Sequence, residues 1–451
     1  MRLVAALALG ACGRIHFDPV GEAGIDGGFA PSRITYFKAD NVAVNEQFGY
    51  DLALSADGST LAVGTPNEAG GVGAVFVFDK SGGTWSYDTA LRTGDVQAVQ
   101  AGLSVAISAD GNTIVAGAPL EGSIANSSGA AVVFRRSGTT WTREATLKAS
   151  NATAGDELGW DVAVSADGRI VAAGAPLEDT GASTSGAAYV FRDLGGGTWT
   201  QDVYLKQSVA TLNSSFGIAI ALSSDGATLL VGGDLNTTGA ADVFVHGATW
   251  TPQAHLVANN AEVNDNFGFS VALSADGNLA GIGAVTEASA SRGIDGDGTD
   301  NSAASSGAAY LFARAGMTWT QRAYVKASNS DPSDQFGMSV ALSSDGDTFV
   351  VGAIDDASAG RGLTGDPTDN SAPLAGAAYV FVRAQTTWTQ RFYLKASNAE
   401  GGDLFGRAVS ASAEGTAIAV AAHHEASAAP GVDGDQTDNS AGAAGAAYVF
   451  E

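Results

Sequence analysis

Phe336-Gly337-Met338-Ser339-Val340-Ala341-Leu342-Ser343-Ser344-Asp345-Gly346 is a short apolar run ending in a Ser-Ser-Asp-Gly turn, and it decides the fold because the chain repeats it. Phe267-Gly268-Phe269-Ser270-Val271-Ala272-Leu273-Ser274-Ala275-Asp276-Gly277 carries the same pattern 69 residues earlier. Aligned on the second residue, Gly49, Gly102, Gly159, Gly217, Gly268, Gly337 and Gly406 fall in register at spacings of 53, 57, 58, 51, 69 and 69, which makes seven copies. Such repetition outranks local propensity, since a unit that cannot bury its apolar face alone must stack on its neighbours.

Each copy reads as four strands. Short Val, Ile, Leu and Phe runs broken by Asp-Gly and Gly-Ala lack a helical period, so helix should be nearly absent. The Ser-Ala-Asp-Gly turns at 55–58, 108–111 and 165–168 suit tight hairpins, because Asp and Gly tolerate the positive φ of primed turns. A second strand follows, as at 61–64 and 348–352. The third is Gly-Ala-Ala-Tyr-Val-Phe at 186–191, 376–381 and 445–450. A fourth runs from a Trp to a Leu six residues on, as in Trp85 and Leu91, Trp141 and Leu147, or Trp388 and Leu394.

Four antiparallel strands repeated seven times fit a radial array, in which every copy meets an equivalent neighbour. The last copy stops after its third strand, and Ile34-Thr35-Tyr36-Phe37-Lys38-Ala39 resembles the fourth-strand stretch Arg322-Ala323-Tyr324-Val325-Lys326-Ala327. The expected fold is all-β: a seven-bladed β-propeller of four-stranded antiparallel blades over residues 33–451, closed by the N-terminal strand, with no open sheet edge.

With these residues in place, the copies resemble the FG-GAP repeats of the integrin α-subunit propeller and of bacterial surface proteins. Phe-Gly opens copies one, four, five, six and seven, while Ala101-Gly102 and Leu158-Gly159 open copies two and three. Gly-Ala-Pro is intact at 117–119 and 174–176 and drifts elsewhere, ending as Ala421-Ala422-His423. The resemblance implies calcium loops of Asp-x-Asp-x-Asp-Gly type between the first two strands. Here the short Ser-Ala-Asp-Gly turn replaces them, and one carboxylate cannot supply the six to eight oxygens calcium takes, so those sites do not carry over.

The amino terminus bears on compartment. Leu9-Gly10-Ala11-Cys12 follows a short apolar run and resembles a bacterial lipobox, implying a lipoprotein signal over 1–11, acylation at Cys12 and a Gly, Asp and Pro-rich tether over 12–32. The alternative is a misassigned start and an idle thiol. The lipoprotein reading places the protein in the bacterial cell envelope, in contact with membrane only through a lipid anchor. The single Cys excludes an intramolecular disulfide. With 22 Lys plus Arg against 48 Asp plus Glu, the net charge of −26 argues against a nucleic-acid partner. Hydrophobic residues at 45%, with 19 Phe, 10 Tyr and 7 Trp, suffice for a large core and exclude wholesale disorder.

Candidate site residues are acidic. Glu68, Glu121, Glu178, Glu287, Asp356 and Glu425 recur four residues beyond the second-strand glycine position, with Asn236 interrupting the series, and would ring one face. They either accept hydrogen bonds from their own loops or form a cation or ligand site. A second series, Glu46, Asp156, Asp265, Asp334 and Asp403, lies three residues before the repeat glycine and should hold the loop entering strand one. Long segments in copies five to seven carry Asp295, Asp297 and Asp300, then Asp366 and Asp369, then Asp433, Asp435 and Asp438. Carboxylates spaced by Gly make calcium a candidate cofactor, the alternative being polar Asx-turn loops. On three neighbouring blades these inserts would raise one side of the face.

Catalytic constellations are weak: His423-His424-Glu425 lacks a third ligand at a recognisable spacing, and Gly-x-Ser-Val-Ala recurs as a strand would. The expectation is a monomeric, non-enzymatic cell-surface adhesion module that presents one face to a protein or glycan partner. A structural envelope protein and a propeller hydrolase or lyase are the alternatives.

Overall fold

Ser-x-Asp-Gly segments close the hairpin between strands one and two of blades one to six, and Ser412-Ala413-Glu414-Gly415 closes that of blade seven. In the first, Ser55 Oγ donates to Asp57 Oδ1 (2.7 Å) and accepts from Thr60 N (2.9 Å), and Gly58 takes φ 68°. The following residue links blades: Ala56 N donates to Ala109 O, Ala109 to Ala166, Ala166 to Ser224, Ser224 to Ala275, Ala275 to Ser344, Ser344 to Ala413, and Ala413 back to Ala56, at 2.8 to 3.1 Å. Those seven backbone bonds form a closed circle, so the blade number follows from a hydrogen-bond circuit as well as from sequence spacing.

The computed structural model describes residues 29–94, 97–207, 212–233 and 237–451. Seven four-stranded antiparallel sheets stand around the axis. Blade one is Leu52–Leu54, Thr60–Thr65, Ala74–Ser81 and Thr84–Leu91. Blade five is Phe267–Leu273, Leu279–Ala284, Ala308–Ala315 and Thr318–Val325. Blade seven joins Phe405–Ala411, Ile418–Ala422 and Ala446–Phe450 to Ile34–Phe37, in the register Ile34 with Phe450 and Phe37 with Ala447. The N-terminal strand thus closes the ring. Among the described residues Glu68–Gly71 is the one helical turn.

Closure begins slightly before residue 33. Phe29 is buried edge-on against Phe392 (5.1 Å), and Ser32 N and Arg33 N both donate to Glu451 O. An aromatic ring and two amides thus hold residues 29–33 to the propeller, while residues 12–28 of the expected tether lie outside the described residues. Cys12 and the expected signal lie outside the described residues.

Seven apolar cores fill the seven gaps between neighbouring blades. Strand three is buried on both faces for this reason; Ala308–Ala315 starts with five consecutive buried residues. The repeat glycines have a steric cause. A Cβ on Gly174 would lie 1.9 Å from the carbonyl oxygen of Gly217, the repeat glycine of the next blade, and one on Gly283 would lie 2.1 Å from that of Gly337. Backbones touch there, so only glycine fits. At the outer rim Trp indoles reach the previous blade: Trp141 Nε1 donates to Asp88 (3.0 Å), Trp199 to Glu144 (3.0 Å), Trp250 to Asp202 (3.2 Å) and Trp319 to Gln253 (3.0 Å).

The topology separates two faces. Hairpins joining strands one to two and three to four lie on one, and loops joining strands two to three and four to one lie on the other. All the candidate acids are on this loop face.

Candidate functional site

The six ring acids are buried, each 7% exposed or less, and each is paired with a cation at the end of strand four in its own blade. The pairs are Glu68 with Arg92 (2.8 Å), Glu121 with Lys148, Glu178 with Lys206 (2.6 Å), Glu287 with Lys326 (2.8 Å), Asp356 with Lys395 (3.2 Å) and Glu425 with Lys38 (2.7 Å). A buried carboxylate must be paired or hydrogen-bonded, and these are both. Backbone amides of their own loops donate to four of them: Ser123 to Glu121, Ser289 to Glu287, Ser358 to Asp356 and Ser427 to Glu425. Strand-four tyrosines add further donors, Tyr324 to Glu287 (2.7 Å) and Tyr393 to Asp356 (2.8 Å).

Neighbouring blades are wired through the same acids. Three residues after the strand-four cation stands an Asn whose side-chain amide donates to the next blade's acid: Asn41 to Glu68, Asn151 to Glu178, Asn329 to Asp356 and Asn398 to Glu425. The Asn oxygen accepts from a strand-three tyrosine, as from Tyr379 (2.7 Å) and Tyr448 (2.6 Å). Hence Lys-Ala-x-Asn closes one blade and latches the next. The recurrence of Lys148-Ala149-Ser150-Asn151, Lys326-Ala327-Ser328-Asn329 and Lys395-Ala396-Ser397-Asn398 is the sequence signal that identifies this frame. Copy four has Val257 where the others have a cation and Asn236 where they have the acid, so both charges are replaced together.

The second acid series holds the entry loops. Ala43 N donates to Glu46 (2.9 Å), Thr153 N to Asp156 (2.6 Å), Glu262 N to Asp265 (2.8 Å), Asp331 N to Asp334 (2.7 Å) and Glu400 N to Asp403 (2.8 Å). Burial, reinforced by the nearby ring acid, pushes Asp334 and Asp403 up to about 7 and Asp265 up to about 6. Burial pulls Lys38, Lys326 and Lys395 down, while the acid partner of each holds it up.

The insert carboxylates are engaged in hydrogen bonds within their own blades. Asp297, Asp366 and Asp435 each accept from the amide and hydroxyl of the Thr two residues on. Asp300, Asp369 and Asp438 likewise accept from Ser302, Ser371 and Ser440. Asp295 and Asp433 accept from Tyr324 N and Tyr36 N of their own strand four. The first six make Asx turns, and among the described residues no three His, Cys, Asp or Glu side chains group to hold a metal ion. Nor do the inserts simply stand up from the face: Lys326 N donates to Gly293 O, Lys395 N to Gly362 O and Lys38 N to Gly431 O, so each insert folds back along the outer strand of its blade.

At the axis lies a cavity of about 550 Å³, built from the loop-face ends of strands one and two. The residue after each repeat glycine lines it: Tyr50, Leu103, Trp160, Ile218, Phe269, Met338 and Arg407. Deeper, Asp51 accepts from Leu52 N and Val105 N, and Asp161 from Val162 N, Ile220 N and Ser104 Oγ. These carboxylates tie strand one of their blade to that of the next. Burial, then the charge of Asp51, raises Asp161 to about 7. Arg407 lies over the Tyr50 ring with its guanidinium carbon 4.2 Å from the centroid, and His423 packs against both Tyr50 and His424. Glu425 is committed to Lys38, so His423-His424-Glu425 makes no metal triad.

The FG-GAP repeat family model matches residues 141–191, 250–312 and 319–381. Among solved structures, hydrazine synthase of Kuenenia stuttgartiensis is similar at 12% identity and a TM-score of 0.53, over 88% of this chain and 96% of that one. The β-propeller domain of Cps50 (Swd1) from Myceliophteria thermophila is similar at 10% identity and a TM-score of 0.56, over 93% of this chain and 98% of that one. At such identities the likeness concerns the fold alone. A search of curated proteins finds no match.

Proposed function

Starting from a chain that carries FG-GAP repeats on a closed seven-bladed propeller, we propose that it is a non-enzymatic binding module of the cell surface, docking a protein or glycan partner on its loop face and displayed by a lipid on Cys12. The carrying observation is where large apolar side chains are exposed. Val44, Leu212 and Val263, 58%, 67% and 68% exposed, occupy the same position five residues before the repeat glycine. Ile124, Leu177 and Leu374 lie in the strand two-to-three loops, whereas the hairpin face shows Leu194 and Met317. Apolar residues on loops held by a buried ionic frame suit recognition, since little ordering entropy is lost on binding. The ring acids take part as frame and not as ligand contacts, and the reading requires no calcium.

The test is glycan-array and cross-linking capture with the full chain, in calcium and in chelator, beside the triple variant Val44→Asp, Leu212→Asp, Val263→Asp. Specific capture by the native chain in both buffers and its loss in the triple variant are expected. Capture unchanged in the variant, or catalytic turnover of a bound glycan, overturns the proposal.

A further inference from the structure

Two departures of blade seven from the repeat stand on the same side of the axial cavity, both against Tyr50. Where the other blades present an apolar or aromatic residue after the repeat glycine, blade seven has Arg407. At the end of strand two, where blades one, two, three, five and six have Pro66, Pro119, Pro176, Val285 and Ile354, it has His423. Arg407 makes no hydrogen bond or ion pair among the described residues. It is oriented by stacking on Tyr50, and its charge is felt by both His423 and Asp51. His423 is 7% exposed, lines the cavity, and its Nδ1 is buried without a partner. A buried ring nitrogen without a partner is costly unless something entering the cavity satisfies it.

We propose that the axial cavity binds an organic carboxylate with an apolar body. The carboxylate pairs with the Arg407 fork and receives or shares a hydrogen bond at His423 Nδ1. The body lies against Trp160, Ile218, Phe269 and Met338. A planar monoanion matches a single guanidinium, which donates two parallel hydrogen bonds to one carboxylate. More highly charged anions are disfavoured by Asp51 and Asp161 in the same cavity. The volume falls within the ~300–1,000 Å³ of small-ligand sites, and the walls combine apolar side chains with polar ones. Burial and the Arg407 charge push His423 down to about 2, so it enters this contact as a neutral imidazole.

The experiment uses the full chain, with titration calorimetry and the fluorescence of Trp160 in the cavity wall as readouts. The probes are hexanoate and 4-phenylbutyrate, with 4-phenylbutyramide as the uncharged match and inorganic phosphate as the compact anion. Saturable binding of the two carboxylates is expected, with the amide and phosphate weaker by about tenfold or more. Arg407→Gln should abolish the preference for acid over amide, and Arg407→Lys should retain part of it. His423→Phe should weaken the acids without restoring the amide. Melting curves of the variants that overlay the native one show that the fold is intact. Absence of saturable carboxylate binding, equal binding of acid and amide, or an unchanged preference in Arg407→Gln overturns the proposal.

Discussion

A lysine with 0% side-chain exposure beside a glutamate at 2% is the most informative residue-scale feature of this molecule. Lys326 and Glu287 stabilise the fold only as a pair, since either charge left alone in the interior is strongly unfavourable. Lys326→Met should therefore cost about 3–5 kcal/mol, whereas Lys326→Met with Glu287→Leu should recover most of it. Urea unfolding of the two single variants and the double closes that cycle, and additive losses would contradict it. Copy four already carries a Val and an Asn at these positions, and so shows in sequence that the charges can be given up together. A second residue-scale consequence concerns pH. Asp334, raised from 3.8 to about 7, keeps its proton in the native state after the unfolded chain has released it. The native state thus binds more protons across that window, so this contribution to stability is complete below pH 3.8 and is lost as pH rises through about 7. Asp334→Asn removes the titration. Relative to the native chain its melting temperature should climb between pH 4 and 8, and a constant difference would refute the assignment.

At the scale of elements, the blades meet backbone to backbone where the repeat glycine of one touches the strand-two glycine of the previous one. Gly174→Ala puts a methyl against the carbonyl of Gly217 and should cost about 1–3 kcal/mol by overpacking, read as a lower urea midpoint. Blade seven has Ala421 at this position, and a Cβ placed on the opposing Gly49 would lie 3.1 Å from the Ala421 Cβ. Strand positions were legible because turn chemistry and short apolar runs are local. The inserts were less so: their Asp-rich composition suits calcium as well as Asx turns, and it does not encode their pairing with strand four. The Lys-Ala-x-Asn recurrence was visible too, but its partners were not, because Asn329 reaches 27 residues forward to Asp356 while Lys326 reaches 39 back to Glu287.

For the whole molecule, closure rests on Ile34–Phe37 pairing with Ala446–Phe450, on Phe29 against Phe392, and on Lys38 with Glu425. A chain starting at Asp40 loses all three and exposes the edge of its seventh sheet, an invitation to association. It should aggregate on size-exclusion chromatography and unfold at a lower temperature than the full chain; an unchanged melting curve would show that the ring holds without its clasp.

Blade number, strands per blade and the clasping strand were determined by the sequence, because periodic spacing, tight-turn residues and apolar runs act over a few positions and repeat seven times. Tertiary structure alone decided that the acidic ring is a frame, that the inserts bind their own blades, and that Arg407 and His423 share a cavity. Those outcomes depend on which side chains meet across blades when the ring closes, and no local pattern encodes how a buried charge will be matched by a partner dozens of residues away.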